Sequence, residues 1–513
     1  MRRVLVIVIA MVALLGLGKV MGAHAAPGIP AGPNDACQPD PTNPNAQQLH
    51  CRYGPLTIGP GQNLIMFGPV TIESPRADGF VTSMKANMVD AVSGQVPPIH
   101  VVHLHHGVWL NPAHEGSYTP FFATGEEKTV SQIPTGYGYQ VSASDTWVLN
   151  YMVHNLSTSS HVVYITWDVG FTPLATGVAQ GMKAVDPIWL DVVGGNNAAY
   201  PVYNPTRTGA RVDPVDATRT IHLRKKDFSV ARNYEIVWAG GHVHPGGVRD
   251  ELRSESCNGQ GQNSALLFSS DAIHNTRDGT IPSGSFGSWD YRMTVTPDNW
   301  RYTVRAGDRI SVTTAYDVTH PFYEAMGIMV AWGHPLAAGE VPDAPLCQLP
   351  SSTSGEVTNV LPAPPDFGGH ATGLPDPRDV PAAGAPVTAV DIRAFDFSPG
   401  GLGQAPAPVA AGSVVTFRTD DAASSINHTV TSCDAPCTGA WGQSYPLATW
   451  GFDTSRGDPY NTGQLGFGPP FASAASNQIT WDLPIPSDTP VGTTYTYFCR
   501  IHPIMRGSLK VVS

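Results

Sequence analysis

The sequence predicts an all-β protein built from two jelly-roll-like sandwich subdomains followed by a smaller β-sandwich. Three observations support this prediction. Short runs rich in Val, Thr, Tyr and Trp recur along the chain between turn-forming residues. Glycine (53 residues) and proline (47 residues) together make up nearly a fifth of the 513 residues, whereas charged residues contribute only 14%. Finally, no amphipathic helix of useful length can be recognised.

The first 25 residues, MRRVLVIVIAMVALLGLGKVMGAHA, have the pattern of a secretory signal peptide. Two arginines precede an apolar stretch from Val4 to Leu17, and Ala23-His24-Ala25 supplies a small-x-small cleavage site. The stretch is shorter than the ~20 residues that span a bilayer. We therefore expect an exported protein, secreted or held in the cell envelope or periplasm, with no stable membrane span after cleavage. An uncleaved anchor is the alternative.

The overall charge argues against a nucleic-acid partner. The formal net charge is −12, and removing residues 1–25 leaves 26 basic and 41 acidic residues, a net charge of −15. Binding to phosphate backbones requires clustered cations, which such a balance does not favour.

The chain has seven cysteines, and an oxidising compartment should leave one of them outside a disulfide. The expected disulfides are Cys37–Cys51, Cys257–Cys347 and Cys433–Cys437. The remaining residue is Cys499. A thiol that persists in a secreted protein requires a chemical role.

Composition divides the rest of the chain into domains. The two larger subdomains are expected over residues 26–200 and 201–348, and the C-terminal sandwich over residues 387–513. Between them, residues 349–386 form a predicted linker. Its residues 350–386 contain eight prolines and five glycines and show no hydrophobic periodicity, which is typical of an extended, semi-rigid spacer.

The C-terminal sandwich carries a metal-ligand motif. Its segment Cys-Arg-Ile-His-Pro-Ile-Met places a thiolate (Cys499), an imidazole (His502) and a thioether (Met505) on one tight loop. His428, far upstream, supplies a second imidazole. Two His, one Cys and a weak axial Met are the ligand set of electron-transfer copper, because the soft sulfurs favour Cu(I) while imidazole accommodates Cu(II).

This part of the chain resembles the cupredoxins over about residues 387–513. Its short spacing between Cys, His and Met is like that of amicyanin. The resemblance implies a blue-copper site held by His428, Cys499, His502 and Met505.

A second ligand pattern lies in the segment AGGHVHPGG. Residues two apart on a strand face the same side, so His242 and His244 form a natural two-imidazole clamp. Downstream, Met326 in YEAMGIMVAW offers a soft thioether. Two imidazoles and a thioether suit copper better than zinc.

A third pattern is HVVHLHH, residues 100–106, with His154 further along the chain. A regular strand would point His105 and His106 to opposite faces. Both can reach one metal only through a bulge or by using different ring nitrogens. Strand periodicity alone favours His103 with His105, so whether His103 replaces or supports His106 stays open.

The order of these ligands resembles the type II, ascorbate-dependent copper monooxygenases, whose known examples include peptidylglycine α-hydroxylating and dopamine β-monooxygenases. The match covers about residues 50–335. It implies that His105, His106 and His154 hold an electron-transfer copper. It also implies that His242, His244 and Met326 hold a second, separate copper, the catalytic one, where dioxygen binds and a C–H bond is attacked.

The combined resemblances imply three coppers per chain, with ascorbate or another one-electron reductant as cosubstrate. Expected partners are O2, a small-molecule substrate and an electron-donor protein. One departure concerns the family's carboxylate-binding residues, whose positions hold Gly240, Ile328 and Val330 here, which puts peptide amidation in doubt. A non-catalytic copper-handling protein and a pure electron-transfer protein are the alternative functions.

Overall fold

A computed structural model describes most of the chain after the N-terminal segment. The described residues are 36–39, 48–59, 63–65, 69–97, 101–112, 120–125, 127–155, 159–194, 201–203, 205, 208–244, 246–257, 264–274, 291–318, 325–357, 375–393, 396–420, 428–432, 462, 465, 479–499 and 505–513. The predicted signal peptide, Cys433, Cys437 and His502 lie outside them. The all-β prediction is confirmed, since strands dominate throughout these residues.

The first group of strands builds two sheets. In chain order the elements are β1 (Ala36–Pro39), β2 (Gln48–Ile58), β3 (Asn63–Ile65), β4 (Val70–Ile72), β5 (Gly79–Asp90), β6 (Val102–Leu110), β7 (Pro120–Gly125), β8 (Val130–Gln132), β9 (Tyr137–Val141), β10 (Trp147–Asn155), β11 (His161–Pro173), the short helix α1 (Leu174–Ala179) and β12 (Lys183–Ala184). Sheet I has the order β1-β2-β11-β5-β9-β12, with β8 paired to β5. Sheet II has the order β3-β10-β6-β7, with β4 paired to β10.

The second group builds sheets III and IV. Its strands are β13 (Asp186–Asp191), β14 (Arg211–Val212), β15 (Thr220–Ser229), β16 (Tyr234–Val243), β17 (Gly247–Ser256), β18 (Ala265–His274), β19 (Tyr291–Met293), β20 (Tyr302–Val304), β21 (Arg309–Asp317) and β22 (Gly327–Pro335). Sheet III has the order β13-β22-β16-β20, and sheet IV the order β14-β15-β21-β17-β18-β19.

Sheet III is covered on both faces, which explains why β16 and β22 are almost continuously buried. Side chains alternate along β22: Val330 and Trp332 belong to the core of the first sandwich, whereas Met329 and Ala331 belong to the core of the second. Sheet III therefore joins the two sandwiches through a shared apolar layer. Any side chain on its first-sandwich face lies at the boundary between them.

The C-terminal strands are β23 (Ala389–Arg393), β24 (Asp396–Ser398), β25 (Ala407–Ala410), β26 (Val414–Thr419), β27 (Thr431–Ser432), β28 (Thr480–Pro484), β29 (Thr494–Phe498) and β30 (Arg506–Val512). They form sheet V, in the order β24-β23-β26-β28, and sheet VI, in the order β25-β30-β29-β27. The two sheets enclose a separate apolar core that includes Phe417, Tyr497 and Cys499.

The described cysteines agree with the sequence prediction. Disulfides join Cys37 to Cys51 and Cys257 to Cys347. Of the five cysteines that the structure describes, Cys499 is the one that keeps its thiol, and it is buried. Two disulfides fit a protein that matures in an oxidising compartment. Among the described residues, no helix has the length and apolarity needed to cross a membrane.

Both described ends of the predicted linker are held by the neighbouring sandwiches. Val295 and Glu356 exchange two backbone hydrogen bonds of 2.9 and 2.8 Å, which attach the start of the linker to the second sandwich. At the other end, Lys510 Nζ donates to the carbonyl oxygens of Arg378 and Val380 at 2.8 and 2.9 Å. The part that can act as a spacer is therefore shorter than the sequence alone indicates.

Candidate functional site

A β-bulge in β6 solves the problem posed by two consecutive histidines. In the ladder with β10, Met152 lies opposite His106 and Val153 lies opposite Leu104, so His105 is an extra residue in β6. Before the bulge, Leu104 belongs to the core, and after it Trp109 does. A bulge shifts the alternation by one residue. His105 and His106 therefore share the face of sheet II that is turned away from that core.

The bulge gathers four buried histidines. The ring centroids of His105 and His154 are 4.3 Å apart, those of His105 and His106 5.4 Å, and those of His103 and His154 5.3 Å. His103 is also the cross-strand partner of His154. The three predicted ligands thus lie together, and His103 lies among them, so the structure leaves its role as replacement or support open.

The His242 and His244 pair faces this cluster across the boundary between the sandwiches. Their ring centroids are 5.3 Å apart, and the ring of His244 is 4.9 Å from that of His105. The two predicted ligand sets therefore meet in space, which differs from the separated sites that the family resemblance implied. The reason is geometric, because the histidine faces of sheets II and III are directly apposed.

The histidine nitrogens do not all converge in these side-chain positions. Among the described residues, one group of three side chains of the types His, Cys, Asp or Glu has its potential ligand atoms within 4.8 Å of one another. This group is Cys257, Asp308 and Cys347. Those two sulfurs are joined in a disulfide, so they offer no thiolate to a metal. The histidine cluster nevertheless brings four buried imidazoles together, with neighbouring ring centroids 4.3 to 5.4 Å apart. Its buried, imidazole-rich donor set fits copper.

Met326 lies immediately before β22 and is 3% exposed. With His242 and His106 it lines a cavity between sheets II and III. The structure therefore brings the predicted thioether ligand to the same wall as one histidine of its predicted set. A thioether beside imidazole is a donor combination that favours copper.

Buried side chains fix the backbone that carries these predicted ligands. The hydroxyl of Tyr316 accepts a hydrogen bond from the His244 N–H at 2.6 Å and donates one to the Met326 carbonyl oxygen at 2.7 Å. Asp250 accepts from the His242 N–H at 3.2 Å and from the Thr314 hydroxyl. Burial raises the pKa of Asp250 to about 8 and holds the pKa of Tyr316 well above its usual range.

Glu127 is a buried carboxylate in direct contact with a predicted ligand. Its Oε2 lies 3.0 Å from Nδ1 of His242, and its Oε1 accepts a hydrogen bond of 2.8 Å from the Gly125 N–H. A Cβ at position 125 would lie 2.9 Å from the His242 ring, so glycine permits this close approach. Carboxylates commonly orient metal-binding histidines through the second ring nitrogen. This contact leaves Nε2 as the candidate donor atom of His242.

Replacing Tyr316 with phenylalanine should weaken both the fold and copper binding. The change removes a hydroxyl that satisfies two buried backbone groups, at a cost of about 1–3 kcal/mol for each group left without a partner. Tyr302→Phe is the matched control, because Tyr302 is equally buried and donates to Ser254 elsewhere in the second sandwich. Both variants should lose stability in urea titrations, but only Tyr316→Phe should lose copper affinity in chelator competition. Equal copper affinity in the two variants would contradict a positioning role for Tyr316.

The C-terminal site is assembled where β29 ends and β30 begins. Cys499 follows β29, Met505 precedes β30, and both are buried with His428. The Cys499 Sγ lies 3.9 Å from Nδ1 of His428 and accepts a hydrogen bond from the Thr429 N–H at 3.4 Å. Two ligand atoms at about 2.0–2.3 Å from one metal in a trigonal plane lie about 3.8 Å apart. The His428–Cys499 separation therefore fits a shared metal ion, and thiolate, imidazole and thioether fit copper.

Arg506 introduces a buried positive charge next to this site. It follows Met505 directly, is 7% exposed, and its guanidinium carbon lies 5.3 Å from the ring centre of Phe498. Burial lowers the pKa of Arg506 to about 10, while the nearby Cys499 acts in the opposite direction. The side chain therefore remains a cation at neutral pH.

Comparisons with known proteins give no identification. Neither the known protein families nor the curated proteins include a match to this chain. Function therefore has to be inferred from the chemistry of the two sites. The sequence pointed to the candidate ligands but not to Glu127, Asp250 or Tyr316, since lone acidic or aromatic residues in strands and turns carry no motif.

Proposed function

We propose that this protein is an exported copper-dependent monooxygenase whose C-terminal domain is a blue-copper electron-transfer module. The reaction is hydroxylation of a C–H bond: substrate, O2, two electrons and two protons yield the hydroxylated product and water. Copper would supply the reactivity toward dioxygen. The residues proposed to hold it in the large domain are His105, His106, His154, His242, His244 and Met326.

One observation carries the proposal. His242 and Met326 lie in the wall of a cavity between the two sandwiches, beside apolar side chains from both. Small-molecule sites are typically concave and mainly apolar, with a few polar groups at defined positions. A protein that only stores or delivers copper needs accessible ligands and has no need of an apolar cavity beside them. The cavity therefore favours an enzyme over the copper-handling alternative.

The chain's own groups would act by positioning. Glu127 and Asp250 hold His242 from its ring and from its backbone, respectively, and Tyr316 holds His244 and Met326 by their backbones. Such support keeps the donor atoms at a fixed geometry while a substrate occupies the cavity. The two ligand sets of the large domain adjoin each other, and together with the cupredoxin-like site they motivate three coppers per chain.

The test combines metal analysis with oxygen consumption. After copper loading and desalting, the full-length mature protein should retain close to three coppers per chain. With ascorbate, O2 uptake should match a hydroxylated product one to one, with label from 18O2 in the product. His161→Ala, on sheet I outside the histidine cluster, is the matched control and should retain all three coppers. About one copper per chain would contradict the large-domain sites, and three coppers without coupled product would favour a copper-handling protein.

A further inference from the structure

The cavity beside His242 and Met326 has apolar walls drawn from both sandwiches. Sheet II contributes Val108 and Phe122, while Trp238 and Val330 come from sheet III. Trp189 of β13 adds a second indole. Its Nε1 donates to Asp191 at 3.3 Å, so this hydrogen-bonding group is already engaged. The surfaces available for contact are therefore mainly hydrocarbon and aromatic.

The lining offers no cation to an anionic ligand. None of the described residues that line the cavity is a lysine or arginine. Apart from histidine, Glu127 is the ionisable residue among them; its Oε1 accepts a hydrogen bond from the Gly125 N–H, and its Oε2 accepts none from the described residues but lies 3.0 Å from Nδ1 of His242. A carboxylate ligand would thus lose its water and meet a like charge. An ammonium ligand would have to compete with the existing contacts of Glu127.

Neutral hydrogen bonding in the cavity is limited. Ser131 already accepts a hydrogen bond of 2.8 Å from Trp332 Nε1, and the Gly241 N–H donates to Ser270 at 3.0 Å. Within the described part of the chain, the neutral lining atoms Thr124 Oγ1, Thr129 Oγ1 and Trp238 Nε1 have no hydrogen-bond partner. The lining can thus form hydrogen bonds with an uncharged polar atom of a ligand, and these neutral groups do not require a charged partner.

Position 240 is closed to a larger side chain by the fold itself. A Cβ on Gly240 would lie 2.8 Å from the Trp238 ring and 3.1 Å from Val295. On the neighbouring strand, Ile328 and Val330 complete this part of the wall. Trp238 thus packs where a charged side chain from position 240 would have to begin, so the apolar character of this wall is built into the packing.

We infer that the cavity binds a neutral, apolar molecule, an aliphatic or aromatic hydrocarbon moiety with at most an uncharged polar group. The inference rests on the proposed function only in calling that molecule the substrate. Burying an apolar ligand against Phe122, Trp189 and Trp238 is favourable in proportion to the area removed from water. Burying a charge without a partner is strongly unfavourable.

Three probes with the same carbon skeleton isolate the effect of charge. Butylbenzene is neutral, 4-phenylbutanoate is an anion and 4-phenylbutylamine is a cation at neutral pH. Each is titrated into the copper-loaded full-length protein under nitrogen without reductant, and binding is followed by tryptophan fluorescence. Butylbenzene should bind at least tenfold more tightly than either ion. Repeating the titrations without copper removes direct coordination of the carboxylate by the metal. Equal or tighter binding of an ion to the copper-free protein would overturn the inference.

A charge-introducing variant tests the location of the site. Val330→Lys should weaken butylbenzene binding at least tenfold and reverse the preference in favour of 4-phenylbutanoate. Val330→Met, a neutral side chain of similar length, should keep the preference for butylbenzene. Unchanged ranking in a folded Val330→Lys protein would show that the probes bind elsewhere. If that variant does not fold, the ranking in the unaltered protein still decides.

Turnover separates this inference from the proposed function. Butylbenzene that binds but is never hydroxylated, with ascorbate, O2 and all coppers in place, would contradict the monooxygenase proposal and leave the cavity assignment intact. Preferential hydroxylation of either charged probe would support the monooxygenase proposal and contradict the inference that the cavity binds a neutral, apolar molecule. The enzyme would then be a monooxygenase whose substrate class is not apolar.

Discussion

Replacing Met326 with leucine is expected to reduce hydroxylation by on the order of 100-fold or more, while copper at the cupredoxin-like site is retained. Loss of groups that merely support a metal ligand commonly costs 10- to 100-fold, so loss of a ligand should cost at least as much. Leucine conserves the volume of a side chain that is 3% exposed, and such exchanges usually cost less than about 1.5 kcal/mol. Alanine would leave a void, so that a loss of activity could come either from the missing thioether or from the loss of packing.

Met329→Leu provides the matched control for this prediction. Met329 lies three residues away on β22, is fully buried, and packs into the core of the second sandwich. Product formation with ascorbate, copper content and thermal stability are measured for both variants. Met329→Leu should keep its activity. Full turnover by Met326→Leu would show that the thioether is not a ligand of the reactive site.

The bulge at His105 illustrates how far sequence reasoning reached. Consecutive histidines at 105 and 106 required either a bulge or different ring nitrogens, and the structure has the bulge at that position. The disulfides Cys37–Cys51 and Cys257–Cys347 were likewise predictable: Cys37 is close in sequence to Cys51 and Cys433 to Cys437, which leaves Cys257 for Cys347 once Cys499 is assigned to a metal. Patterns of this kind are local or combinatorial, and they can be identified from one sequence.

What the sequence could not supply is how distant elements pack. The contact between His105 and His244 joins residues on different sandwiches, and it depends on sheets II and III being apposed. In the same way, Glu127 reaches His242 because the end of β7 passes beside β16. Gly240 and Gly241 are a further example: they lie within β16, where they allow Trp238 and Ser270 to pack closely.

Replacing Cys499 with serine should abolish the intense blue colour and lower copper from about three to about two per chain. The thiolate is the ligand that distinguishes a blue-copper site, and a serine hydroxyl does not replace it. The fold should survive, because the Thr429 N–H that donates to Sγ can donate to the serine hydroxyl instead. Visible absorption, metal analysis and thermal unfolding of the full-length protein give the three readouts.

The same variant tests whether the cupredoxin-like domain supplies electrons to the large domain. The 21 residues between Glu356 and Arg378 can span at most about 65 Å at ~3.1 Å per residue, which is ample for docking near His105 and His106. A tethered donor also acts at an effective concentration in the millimolar range without a tight interface. With a protein reductant, turnover by Cys499→Ser should therefore fall sharply, whereas excess ascorbate should restore it by reducing the large domain directly. Hydroxylation needs two electrons per cycle. Unchanged turnover with every reductant would therefore show that these electrons reach the large domain without passing through the cupredoxin-like domain.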